Sequence, residues 1–202
     1  MKSSRIGVLG GSFNPIHLGH IELAKKAHEQ FNLPLVLLMP TSKSYYKDSS
    51  AYADSYHRLK MAELAAKECA PGYLEASSLD LDRGGYTYTC DTINELSKDH
   101  KEIFFIVGSD SLLYIDKWKD SEDFLKKCII LYGKREGATT GETDRKAKYL
   151  RDIFHADVRE LNIKDHPISS SDIREMIRNK KSISGLVPKS VEEYIIRNNV
   201  YR

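Results

Sequence analysis

Two histidines, His17 and His20, close the run Gly10-Gly11-Ser12-Phe13-Asn14-Pro15-Ile16-His17-Leu18-Gly19-His20, which follows a short apolar stretch at 6–9. A helix is expected to start near Gly19. A glycine pair lets backbone approach a ligand closely, and a helix N-terminus offers open N–H groups and partial positive charge to phosphate. Imidazoles at i and i+3 share one helical face and can meet charge building on phosphoryl oxygens. The run is neither a GxxxxGK[ST] loop nor a GxGxxG fingerprint, so it points to a phosphate site of another kind. A zinc site would need more ligands, and no cysteine or third histidine lies nearby in sequence.

A second candidate stands near the end of the chain, at Ile168-Ser169-Ser170-Ser171-Asp172-Ile173-Arg174. A serine-rich helix start supplies hydroxyl and backbone donors, and Arg174 can fork onto phosphate oxygens. Alone it would pass for a routine N-cap with a solvated arginine. Beside the first run it reads as a second phosphate clamp.

The elements that would position these groups alternate. Apolar runs at 6–9, 35–39, 103–107 and 129–132 suit strands buried on both faces. Amphipathic segments at 21–31, 55–69, 89–97 and 121–127 suit helices between them, and the alternation predicts a parallel sheet with right-handed crossovers. Residues 74–81 read as a further extended stretch, 157–163 as the last strand, and 41–53 and 133–144 as loops. Helices are expected from Ser169 and from Pro188, as a C-terminal extension packed on the sheet. The 202 residues, 41% hydrophobic and 30% charged, fit one domain spanning 1–202. A net charge of +2 gives no long-range attraction for a polyanion. Three widely spaced cysteines suggest reduced thiols, and the absence of an apolar leader or span predicts a cytoplasmic protein with no membrane contact.

The first run resembles the GxFxPxHxGH signature of nucleotidyltransferases related to class I aminoacyl-tRNA synthetases, and 168–174 is similar to their ISSTxxR motif. Gly108-Ser109-Asp110-Ser111-Leu112 with Lys117-Trp118 resembles the GxDxL…KW segment of bacterial nicotinate-nucleotide adenylyltransferases, and Thr87-Tyr88-Thr89-Cys90-Asp91-Thr92 their SYTxDT stretch. His57-Arg58-Leu59-Lys60-Met61, Leu186-Val187-Pro188 and 191–195 extend the likeness over the whole chain. The resemblance implies an α/β, Rossmann-like doubly wound parallel sheet with a C-terminal helical extension. It implies transfer of the adenylyl group of ATP, with Mg²⁺, to nicotinate mononucleotide. His17, His20, Lys47 and Arg174 would be catalytic. ATP would lie on Gly10, Gly11, Ser12, Phe13, His20, Gly108, Asp110, Ile168, Ser170, Ser171 and Arg174. The acceptor would lie on Ser12, Asn14, Lys47, Tyr88, Thr89 and Trp118, with Trp118 stacked on the pyridine ring and no protein residue named as a metal ligand.

The chain departs from the family at Ser44-Tyr45-Tyr46-Lys47, where relatives often carry Pro-Pro-His-Lys, and at Asn14, where Asp is frequent. Loss of the histidine removes an imidazole, which puts in doubt any catalytic duty at position 46. Rival readings are a related transferase acting on nicotinamide mononucleotide, pantetheine phosphate or a cytidylyl donor, and a silent nucleotide sensor. A nucleic-acid module lacks a basic stripe. A homo-oligomer is compatible with the sequence.

Overall fold

The computed structural model describes residues 4–43, 52–133, 140–163 and 168–202. Six strands form one all-parallel sheet: β1 (Arg5–Gly11), β2 (Val36–Pro40), β3 (Leu74–Ala76), β4 (Glu102–Gly108), β5 (Ile129–Gly133) and β6 (Asp157–Leu161). Their order is β3-β2-β1-β4-β5-β6, so the chain winds outward from β1 in one direction, then crosses to β4 and winds the other way. That reversal opens a crevice at the carboxyl ends of β1 and β4, where such sheets bind ligands.

Period-2 alternation along the central strands feeds two apolar layers. Leu9, Phe104, Ile106 and Leu131 join a cluster with α1 (Leu18–Phe31), α2 (Ser55–Cys69), α8 (Ser170–Arg178) and α9 (Lys189–Arg197). Val8, Phe105, Val107 and Ile130 join the other, with α4 (Thr89–Leu96), α5 (Ser109–Leu112), α6 (Ser121–Lys127) and α7 (Thr140–Phe154). The C-terminal helices therefore share a layer with α1 and α2. Glu68 on α2 accepts from Lys189 N (3.0 Å) and Ser190 N (2.7 Å), closing the first turn of α9. Leu18 N donates to Leu186 O at 2.9 Å, tying the start of α1 to the same extension.

Two expectations need correction. Residues 74–81 are not one extended stretch: the strand stops at Ala76 and α3 (Leu79–Arg83) begins, because Ser77 Oγ accepts from Leu79 N (3.3 Å) and Ser78 Oγ bonds Asp82 Oδ2 (2.6 Å). The loop read at 133–144 gives way at Thr140 to α7, whose sequence is mostly polar but whose Thr143, Ala147 and Leu150 are buried on one face. Cys90 and Cys128 are buried free thiols and Cys69 is half-buried; burial pushes the Cys128 thiol up to about 12. Among the described residues no helix is long and apolar enough to cross a membrane.

Candidate active site

Two adjoining cavities lie at the carboxyl ends of the central strands. The larger, a cleft of about 420 Å³, is bounded by Gly10, Gly11 and Ser12 at the end of β1, by Gly108–Ser111 at the end of β4 and the start of α5, and by Gly133 at the end of β5. His17, Gly19 and His20 at the start of α1 face Ile168, Ser169, Ser170, Ser171 and Arg174 at the start of α8 across it. Two helix N-termini thus converge on one volume, which suits a polyphosphate. The two sequence runs, far apart in the chain, are brought together.

Local chemistry sets both histidines. His17 is the N-cap of α1, with extended backbone, and is only 7% exposed. Its ring stacks on that of His20 at 3.7 Å, and Phe13, fully buried, meets His20 edge-on at 5.1 Å. His17 N donates to His20 Nδ1 at 3.2 Å. An accepting Nδ1 places the ring proton of neutral His20 on Nε2, as a donor. One imidazole therefore closes the first turn of α1 and presents an N–H.

At α8, the Ser169 side chain caps the helix by accepting from Asp172 N at 3.1 Å, and Ser170 Oγ donates to Pro15 O at 2.9 Å. Arg174 Nη1 donates to Asn14 O at 2.8 Å and Nη2 to Ser171 Oγ at 3.2 Å, so this guanidinium grips the glycine loop while also lining the cleft. Asn14 is fully buried, and its Oδ1 accepts from Ala53 N at 2.9 Å. Phe13 and Asn14 line neither cavity; their side chains shape the loop from behind. Asp110, exposed, lines the cleft at the start of α5.

The smaller cavity, a recess of about 90 Å³, shares Gly10, Gly11, Ser12, Tyr52 and Ser111 with the cleft. Its remaining lining combines Val8, Met39, Phe105 and Trp118 with Thr41, Asp80, Thr87, Thr89 and Thr92. Trp118 is half-buried, edge-on to Phe105 (6.3 Å) and tilted against Phe124 (6.2 Å). Tyr88 lines neither cavity: it precedes α4 with its ring beneath the Lys119 ammonium at 4.3 Å, while the neighbouring Thr87 and Thr89 reach the recess. Thr87 Oγ1 accepts from Ser42 N at 2.8 Å, fastening the segment before α4 to the one after β2.

Asp80 is the recess's own carboxylate, 3% exposed. Burial pushes its carboxyl above the ordinary range, against the opposing pull of Thr92 Oγ1 at 2.6 Å and Arg83 Nη1 at 2.8 Å. The sequence reading overlooked Asp80, Tyr52, Glu22, Thr41 and Phe105 as lining residues. None sits in a motif. Lys47, with Ser44, Tyr45 and Tyr46, lies outside the described residues. Among the described residues no cluster of three or more His, Cys, Asp or Glu side chains is arranged to hold a metal.

Comparison with known proteins agrees with this geometry. The cytidylyltransferase-like family model matches residues 8–176. A protein of Carboxydothermus hydrogenoformans named probable nicotinate-nucleotide adenylyltransferase is 36% identical over 204 residues, covering 100% of both chains. One of the same name from Thermoanaerobacter sp. is 34% identical over 201 residues, covering 98% of this chain and 94% of its own. In fold, the chain resembles the solved Plasmodium falciparum nicotinic acid mononucleotide adenylyltransferase complexed with APC, with TM-score 0.75, 20% identity, and 98% and 97% of the two chains covered. With two helix starts lining one cleft and its whole length matched, the chain belongs to the nicotinate-nucleotide adenylyltransferase family of the cytidylyltransferase-like proteins.

Proposed function

We infer that the protein transfers the adenylyl group of ATP to the 5′-phosphate of nicotinate mononucleotide, giving nicotinate adenine dinucleotide and pyrophosphate. The observation that carries this reading is the strip Gly10, Gly11 and Ser12, which lines both cavities. A triphosphate seated in the cleft and a mononucleotide based in the recess would bring their phosphates together along it. The family relationship supports the same substrates.

The reaction forms a bond from an oxygen of the acceptor phosphate to the α-phosphorus of ATP and breaks the bond from that phosphorus to the bridging oxygen, which leaves with pyrophosphate. A phosphate monoester, with its second pKa at about 6, is already largely a dianion near neutral pH, so no general base is needed. The chain's task is to hold two anions in line and to meet the charge that builds on the oxygens. His20 Nε2–H and the His17 ring would serve the transferring phosphoryl group. The open N–H groups of α8, with Ser170, Ser171 and Arg174, would hold the outgoing phosphates. Lys47 is proposed as a further cation for the phosphates, and Trp118 as the platform for the pyridine ring.

Magnesium would arrive on the nucleotide. The cleft offers two carboxylates, Glu22 and Asp110, a donor set suited to an ion that keeps most of its waters and takes its other ligands from phosphate. When bound, such an ion neutralises phosphate charge.

The test is purified protein with ATP and Mg²⁺, offered nicotinate or nicotinamide mononucleotide in parallel, following pyrophosphate. Release confined to the nicotinate form is expected. Turnover confined to the nicotinamide form, or to neither, would overturn the substrate assignment.

A further inference from the structure

Arg58, in α2, is 2% exposed and lines neither cavity. Its guanidinium reaches three backbone carbonyls: Nη1 to Ser12 O at 2.8 Å, Nε to Ala53 O at 3.1 Å and Nη2 to Ser42 O at 3.2 Å. These belong to three separate segments, the glycine loop after β1, the exit from β2 and the entry to α2. Each borders the site. Ser12 and Tyr52 line both cavities, and Thr41 lines the recess.

Burying a guanidinium is unfavourable unless hydrogen bonds replace its water, and an apolar side chain would fill this place in α2 without that cost. An apolar side chain cannot hold three carbonyls at once, whereas the rigid planar fork of arginine can. The Ser12 carbonyl is thereby turned into the protein. Arg174 Nη1 engages the Asn14 carbonyl of the same loop, so two dipoles that would repel a phosphate are both taken up by guanidinium groups.

We propose that Arg58 is a positioning residue for adenylyl transfer, holding the shared strip and the Tyr52 wall at the separation that aligns the two phosphates. The proposal rests on the reaction inferred above. It assigns Arg58 no contact with either substrate. Loss of the clasp should therefore spoil alignment more than binding, and misplacement of about 1 Å can cost about 10² in rate.

The test uses Arg58→Lys, which keeps charge but not the fork, and Arg58→Gln, with ATP-binding sites titrated at equilibrium so that kcat refers to folded protein. Expected is a fall in kcat per site of about tenfold to a hundredfold, with KM for ATP and for the acceptor each within about threefold of wild type. Lys60→Gln, on the exposed side of the same helix, should leave both unchanged. Wild-type kcat per site, a loss carried by KM alone, or no folded protein from either variant would each overturn the positioning role. If the wild-type chain itself fails to use nicotinate mononucleotide, the functional reading falls. Trp118, the single tryptophan, then decides the proposal separately: its emission shifts in Arg58→Lys if the recess wall has moved, and an unchanged spectrum overturns the clasp.

Discussion

The cleft at the two histidines and the recess at Trp118 share five lining residues, yet they are built from different materials. The cleft takes its lining from helix starts, hydroxyls and imidazoles; the recess sets threonines and one buried carboxylate among Val8, Met39, Phe105 and Trp118. The first offers many weak donors converging from two helices, a makeup suited to charge, and the second a few fixed side chains, a makeup suited to shape. The difference teaches where rate and selectivity should separate under mutation.

The sharpest way to break that comparison is His20→Ala, which removes an Nε2–H from the cleft and leaves the recess untouched. A drop in kcat of about 10² or more is expected, by steady-state pyrophosphate release, with the sheet intact by circular dichroism. Equal damage to acceptor affinity would mean that the cavities do not divide the work. Trp118→Ala is the counterpart: acceptor binding should weaken about tenfold in calorimetric titration while ATP binding holds. Equal weakening of both ligands would return Trp118 to a purely packing role.

Gly108→Ala probes the cleft more gently. A Cβ there meets nothing within 4 Å and would project into the opening, and the residue's φ of −76° suits alanine. KM for ATP should rise a few-fold, while thermal unfolding shows stability held or raised by about 0.4–1 kcal/mol through the less flexible unfolded chain. An unchanged KM would place ATP away from the end of β4.

Much of the scaffold was legible because its signals are local. The apolar runs at 6–9, 103–107 and 129–132 and the helix at 55–69 read correctly from their own residues. The helix at 140–154 escaped because its apolar positions are sparse: Thr143, Ala147 and Leu150 carry the buried face between lysines, arginines and acids. Their spacing was the available signal. In the site, the two runs at 10–20 and 168–174 announced donors by residue type. Asp80 and Tyr52 stand in no motif, and Arg58, although within the segment 57–61 that resembles the family, shows its three carbonyl partners only once the segments carrying them converge. Of the pair Tyr88 and Thr89 named from the 87–92 stretch, Thr89 lines the recess, with Thr87 beside it, and Tyr88 does not.

The shared strip has one further effect, on how molecules leave. A mononucleotide or a triphosphate would occupy one side of Gly10, Gly11 and Ser12, whereas a molecule spanning both cavities would be a bivalent ligand. Once one end detaches, the other keeps it near, so rebinding competes with escape. On the reading proposed above, a dinucleotide formed across the strip would be held by an avidity that neither reactant enjoys, and its residence time would set a ceiling on turnover independent of how fast the bond is made.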